Sequence, residues 1–181
     1  MPRLTSLIQL VFTVLLSYGS TALAQDQAVS PSQLKDDYLI GRWTFSGTIG
    51  GNAVKGMLRV DTRAGDTCFV YNWTTRARDK EPVHATAIAG MDLQTGEWVE
   101  YNFESNRSHY VARYKPDPKF GDVGKLSGEL TGIVEGKPCD GKITVDRKSR
   151  DHFFYIVESP HGGDWELDYR RVKEKAREKK E

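Results

Sequence analysis

Four histidines, His84, His109, His152 and His161, are the first residues to weigh for chemistry. None stands in an H-x-x-x-H or H-E-x-x-H pair, so the spacing that holds zinc on a helix is missing and no metal site is assigned. His152 shares its parity with Phe154 and Ile156, which makes it a candidate inward-facing imidazole. His161 lies in Pro160-His161-Gly162-Gly163, a turn by composition. Three carboxylates, Glu97, Glu100 and Glu104, fall within one short segment. Glycoside hydrolysis needs two carboxyls facing each other across a cleft, which one strand cannot provide. The expectation is a solvent face, with Val99, Tyr101 and Phe103 on the opposite, buried side. No G-x-S-x-G elbow or phosphate-binding glycine loop occurs, so no catalytic residue is assigned.

The elements that must position these residues show themselves by period-two patterning. Gly41, Trp43, Phe45, Gly47 and Ile49 fall on one parity, and Arg42, Thr44, Ser46 and Thr48 on the other. Such alternation marks a half-buried strand. Gly50-Gly51-Asn52 reads as a hairpin turn into Val54, Gly56, Leu58 and Val60. The same grammar recurs over 67–75, 83–91, 97–104, 107–115, 125–135, 142–148, 152–158 and 164–172. No long amphipathic helix separates any two of these segments, so a parallel βαβ plan is disfavoured. Sequential hairpins in one small domain must hide their sheet edges, and closure into a barrel does so completely. The predicted fold is all-β: an antiparallel up-and-down β-barrel of about eight to ten strands. Charged residues on the outward parity argue against a lipid-facing barrel, which needs an apolar band there.

The chain has 181 residues, with 26 Lys and Arg against 25 Asp and Glu. That length suits one domain with tails, and the balanced charge disfavours a nucleic-acid binder. Residues 1–24 read as an export signal: Arg3 leads, 7–16 is apolar but for Gln9 and Thr13, and Ala22-Leu23-Ala24 is a cleavage site. The apolar run is shorter than the roughly 20 residues a membrane span needs, so no integral membrane segment is expected after cleavage. Residues 25–38 form a lead-in with a short helical turn, 39–172 the barrel, and 173–181 a charged tail. The localisation expected is periplasmic or secreted. In an exported chain, Cys68 and Cys139 are expected to form one disulfide. It would close a loop of about 70 residues, worth roughly 4 kcal/mol in the chain-entropy account.

Gly41-Arg42-Trp43, opening the first strand, resembles the G-x-W motif of the lipocalin and calycin group. The resemblance implies that Trp43 closes one end of the barrel beneath an arginine from the last strand, here Arg170 or Arg171. The strand count is more similar to the fatty-acid-binding and nitrobindin-like calycins, or to lipocalin-like domains of exported bacterial proteins. Nitrobindin-like proteins hold haem through a histidine near the barrel mouth; no such motif can be matched here, so no cofactor is expected.

By this resemblance the chain is an exported calycin-like barrel holding a small, largely apolar molecule. Tyr101, Phe103, Tyr110, Phe154 and His152 are the candidate interior ligand contacts. The alternation of Ala85, Ala87 and Ala89 would leave room inside. A second expectation is a solidly packed barrel that engages a protein or a polysaccharide through Trp73, Trp98 and the 116–124 loop. A third is an enzyme on the same scaffold, using His152 or the acidic strand.

Overall fold

The computed structural model describes residues 39–63, 68–115 and 123–173. The export signal, the helical turn within 25–38, most of the 116–124 loop and the charged tail beyond Lys173 lie outside the described residues.

Ten strands follow one another: β1 (Gly41–Ile49), β2 (Asn52–Arg63), β3 (Cys68–Ala77), β4 (Val83–Asp92), β5 (Glu97–Glu104), β6 (His109–Tyr114), β7 (Gly124–Val134), β8 (Lys137–Ser149), β9 (His152–Glu158) and β10 (Trp165–Arg171). Each pairs antiparallel with its neighbours in sequence, and β10 returns to β1 from Trp43↔Arg171 to Ile49↔Trp165, closing the sheet. The result is a closed antiparallel up-and-down barrel with every edge paired.

The hairpins carry the backbone geometry that their residues predict. Gly50 and Gly51 both take positive φ, 54° and 78°, between Ile49 and Asn52. Two consecutive positive values match the right-handed twist of the flanking strands. Glu135 and Gly136 repeat the arrangement at 49° and 77°. The β7–β8 turn is therefore Glu135-Gly136, and Pro138 lies within β8 opposite Ile133.

Two ends can be told apart. One holds the start of β1, the end of β10 and the β8–β9 turn; it is called the Trp43 end. At the other, the Trp165 end, the β1–β2 turn meets the β9–β10 connection, where Gly50 N donates to Asp164 O at 2.9 Å.

Inward residues alternate along every strand, and large rings face small partners. Phe45 lies against Gly56 and Tyr114 against Gly128, where an added Cβ would collide with the ring and with backbone. The Trp43 half is filled by a column of rings. Trp43 meets Phe153 edge-on at 5.0 Å, Phe153 stacks on Tyr169 at 4.6 Å, and Phe45 lies 4.9 Å from Tyr169. Val60 lies beside this column, while Leu130, Ile143 and Val157, all fully buried, fill the middle of the barrel and its Trp165 half. The outward face carries Lys55, Arg59, Arg76, Glu129, Lys142 and Glu166, all exposed.

Candidate ligand site inside the barrel

The composition of the wall changes along β5. Its inward residues are Trp98, Glu100, Asn102 and Glu104, because register sets Glu100 beside Ala89 and Ala112, and Asn102 beside Ala87 and Tyr110. Short alanine side chains on β4 and at Ala112 leave the space into which these polar groups project. Asn102 is only 1% exposed, yet no hydrogen-bond partner reaches its Oδ1 among the described residues. Its Nδ2 donates to Glu100 O at 3.5 Å. Trp165, on β10, also buries its Nε1 without an acceptor. Its ring meets Tyr110 edge-on, with centroids 5.5 Å apart.

Burial dominates the electrostatics. Desolvation raises the Glu100 carboxyl to about 7, partly offset by a hydrogen bond from Asn102. Glu104 is raised too, first by desolvation, while hydrogen bonds from Asn106 and Ser108 act in the opposite sense. Tyr110, Tyr114, Tyr155 and Tyr169 are held well above the ordinary phenol value, chiefly by burial, and the Glu100 charge adds to the shift in each. All four remain neutral donors near pH 7. The Tyr114 hydroxyl donates to that of Tyr155 across 3.4 Å. Glu100 and Tyr155 face inward but keep some water-accessible surface.

That end is sealed. Trp43 is fully buried, and its Nε1 donates to Leu39 O at 2.9 Å. The Arg171 guanidinium lies over the Trp43 ring, 4.3 Å from its centroid. It also donates to Ile40 O at 2.6 Å and pairs through Nε with Asp151 Oδ1 at 2.9 Å. One side chain thus ties the entry to β1, the end of β10 and the β8–β9 turn together. Arg170 points outward to Asp168, 3.0 Å away. Gly41 opens β1 with φ of 124°, and a Cβ there would meet Arg171 Nη1 at 3.0 Å.

No family model matches the chain. A search of curated proteins finds no match. Among solved structures, a de novo designed fluorescence-activating β-barrel superposes with a TM-score of 0.45 at 14% identity, covering 75% of this chain and 94% of its own. A redesigned β-barrel bound to the dye DFHBI gives a TM-score of 0.42 at 13% identity, over 75% of this chain and 95% of that one.

Several expected positions are corrected by the register. Tyr110 faces inward and is buried. Tyr101 and Phe103 face outward, 47% and 61% exposed. With Ile88 and Val111, which pair with Tyr101, they form an outer apolar row. The acidic face of β5 is the inner one, the reverse of the expectation. Trp73 and Trp98, expected outside, face in and pack against the core. Phe154 and His152 face outward, since Phe153, Tyr155 and Val157 occupy the inner face of β9. His152 Nε2 lies 3.0 Å from Asp168 Oδ1, and its ring packs on Phe154 at 5.0 Å.

The disulfide is also corrected: both cysteines are free. β3 and β8 stand five strands apart whichever way the ring is followed. Cys68 begins β3 at the Trp43 end, whereas Cys139 lies near the start of β8 at the Trp165 end. A bridge needs Cα atoms within about 7 Å, which opposite walls and opposite ends forbid. Cys139 Sγ instead rests 3.5 Å from Ser159 Oγ, and Gly162 packs so closely that a Cβ would meet the sulfur at 2.5 Å.

Glu100, Asn102 and Trp165 are the site residues that sequence reasoning missed. A usable signal existed in Ala85, Ala87 and Ala89. Their parity fixes the inner face of β4, and antiparallel pairing carries that face to Asn102 and Glu100.

Proposed function

We propose that this protein is an exported binding protein that holds a small molecule inside its barrel, with an apolar body along the inner rings and a polar group at Glu100 and Asn102. The single observation carrying this reading is Asn102, almost wholly buried and aimed inward with its Oδ1 unmatched. A buried polar atom without a partner costs about 1–3 kcal/mol, so it calls for a reason. A barrel built only to be packed would be served better by leucine or valine at positions 100 and 102. Small-molecule sites combine an apolar enclosure with a few convergent polar groups, which is the pattern on β5, β6 and β10. The enzyme reading loses its histidine, since His152 faces outward. Export rests on the pattern of residues 1–24, and the balanced charge favours a small-molecule partner over nucleic acid.

Native mass spectrometry of the protein released through its own signal and purified without detergent tests both parts. The expected result is a chain beginning at Gln25 with a reproducible extra mass that leaves on denaturation. A bare mass from the natural host, together with failure of apolar probes to enter, would overturn the binding reading. A retained Met1 would overturn the export reading.

A further inference from the structure

We propose that the molecule held in the barrel carries a protonated basic nitrogen, seated between the Glu100 carboxylate and Asn102 Oδ1. This rests on the ligand-binding reading above and gives the ligand its chemical class.

The first support is the imbalance of acceptors over cations. Glu100, Asn102 and Glu104 project from one strand into one region, and no donor reaches Asn102 Oδ1 among the described residues. The inward titratable groups on the other walls are Tyr71 on β3, Tyr110 and Tyr114 on β6, Cys139 and Arg147 on β8, Tyr155 on β9, and Tyr169 and Arg171 on β10. The inward residues of β1, β2, β4 and β7 carry no ionisable group. Arg147 and Arg171 are the cations on the inward parity of the described strands, and both lie at the Trp43 end, Arg147 opposite Phe153 and Gly124 and Arg171 over the Trp43 ring. Burial and the Asn102 hydrogen bond act on the Glu100 carboxyl; no cation figures among them. An ammonium or amidinium would supply the missing charge and the missing donor together.

The second support is the aromatic enclosure. Tyr110 and Trp165 meet edge-on beside Asn102, offering ring faces to a cation and to a flat apolar body. The buried Trp165 Nε1 offers a donor to an acceptor atom elsewhere on the same molecule. A carboxylate or phosphate ligand would instead meet Glu100 and Glu104 as like charges, which disfavours it.

Three fluorescent probes sharing one ring system separate the alternatives: 2-(1-naphthyl)ethylamine, 2-(1-naphthyl)ethanol and 1-naphthaleneacetate. Their affinities are measured on the full chain between about pH 6 and pH 8. The amine should bind tightest at pH 8 and weaken about tenfold at pH 6, because a carboxyl titrating at about 7 falls from mostly ionised to mostly neutral over that range. The alcohol should bind with no such dependence, and the acetate most weakly. Glu100→Gln should abolish both the amine's preference over the alcohol and the pH dependence of the amine's affinity. Asn102→Leu should reduce the preference as well, and the wild-type pH profile stands without either variant. If the alcohol binds as well as the amine, or the acetate better, the basic-nitrogen assignment is overturned and ligand binding stands. If none of the three enters, both are overturned.

Discussion

Replacing Glu100 by glutamine should make this protein more stable, and the gain should depend on pH in a defined direction. The carboxyl is raised from its ordinary 4.5 to about 7 in the folded barrel, first by desolvation. Below about pH 4.5 the group is neutral whether the chain is folded or not, and it costs nothing. As pH rises from there, the unfolded chain ionises freely while the folded chain holds its proton. Stability therefore falls until the folded group ionises too, near pH 7, and is flat above. The gap between the two values corresponds to about 3 kcal/mol. Urea unfolding of wild type and Glu100→Gln, free of ligand, reads this directly. At pH 4.5 the two should differ only by a constant set by how well the glutamine amide is hydrogen-bonded. By pH 7.5 the variant should have gained about 3 kcal/mol over that baseline. Glu104 shifts in the same direction, so each curve alone will slope more steeply; the difference between curves isolates Glu100. A difference that stays constant from pH 4.5 to 7.5 would refute the buried carboxyl. So would one that shrinks as pH rises. A carboxyl kept at such a cost is more economically explained by ligand than by fold.

Trp43→Ala should destabilise the barrel by about 3–5 kcal/mol, as expected for emptying a fully buried indole, and an unchanged thermal melt would remove the closure role. Arg171→Ala should follow in the same direction by about 2 kcal/mol, since it loses the ring contact and its bonds to Ile40 and Asp151. Arg170→Ala, an exposed pair with Asp168, should stay within about 0.5 kcal/mol of wild type; equal losses for the two arginines would refute the assignment. Thiol labelling should modify the half-buried Cys68 in the native protein and the buried Cys139 only on unfolding. An unfolded chain that takes no label without reductant would restore the disulfide.

Turn chemistry and alternation made the barrel legible before any coordinates. Gly50-Gly51 and the parity of Trp43 and Phe45 are local facts, governed by backbone twist and by the two faces of a single strand. The pairing of Trp43 with a terminal arginine was legible through its motif, although the choice of Arg171 over Arg170 needed the register of β10 on β1. The face of β5 was not legible. Trp98 sits on one parity and Val99, Tyr101 and Phe103 on the other, so apolar content points the wrong way. The 153–157 segment of β9 is apolar on both parities, and its period carries no information.

Within one strand, the residue types determined that there would be two faces, where the chain would turn, and that the hairpins would run in succession. Only closure of the ring decided which face looks inward. Each strand's orientation is set by hydrogen-bond register with both neighbours, and a slip of one residue would turn every side chain over. That constraint brought Glu100 and Asn102 inside despite their polarity, put Tyr101 and Phe103 outside despite their rings, and carried Cys68 and Cys139 to opposite ends of opposite walls.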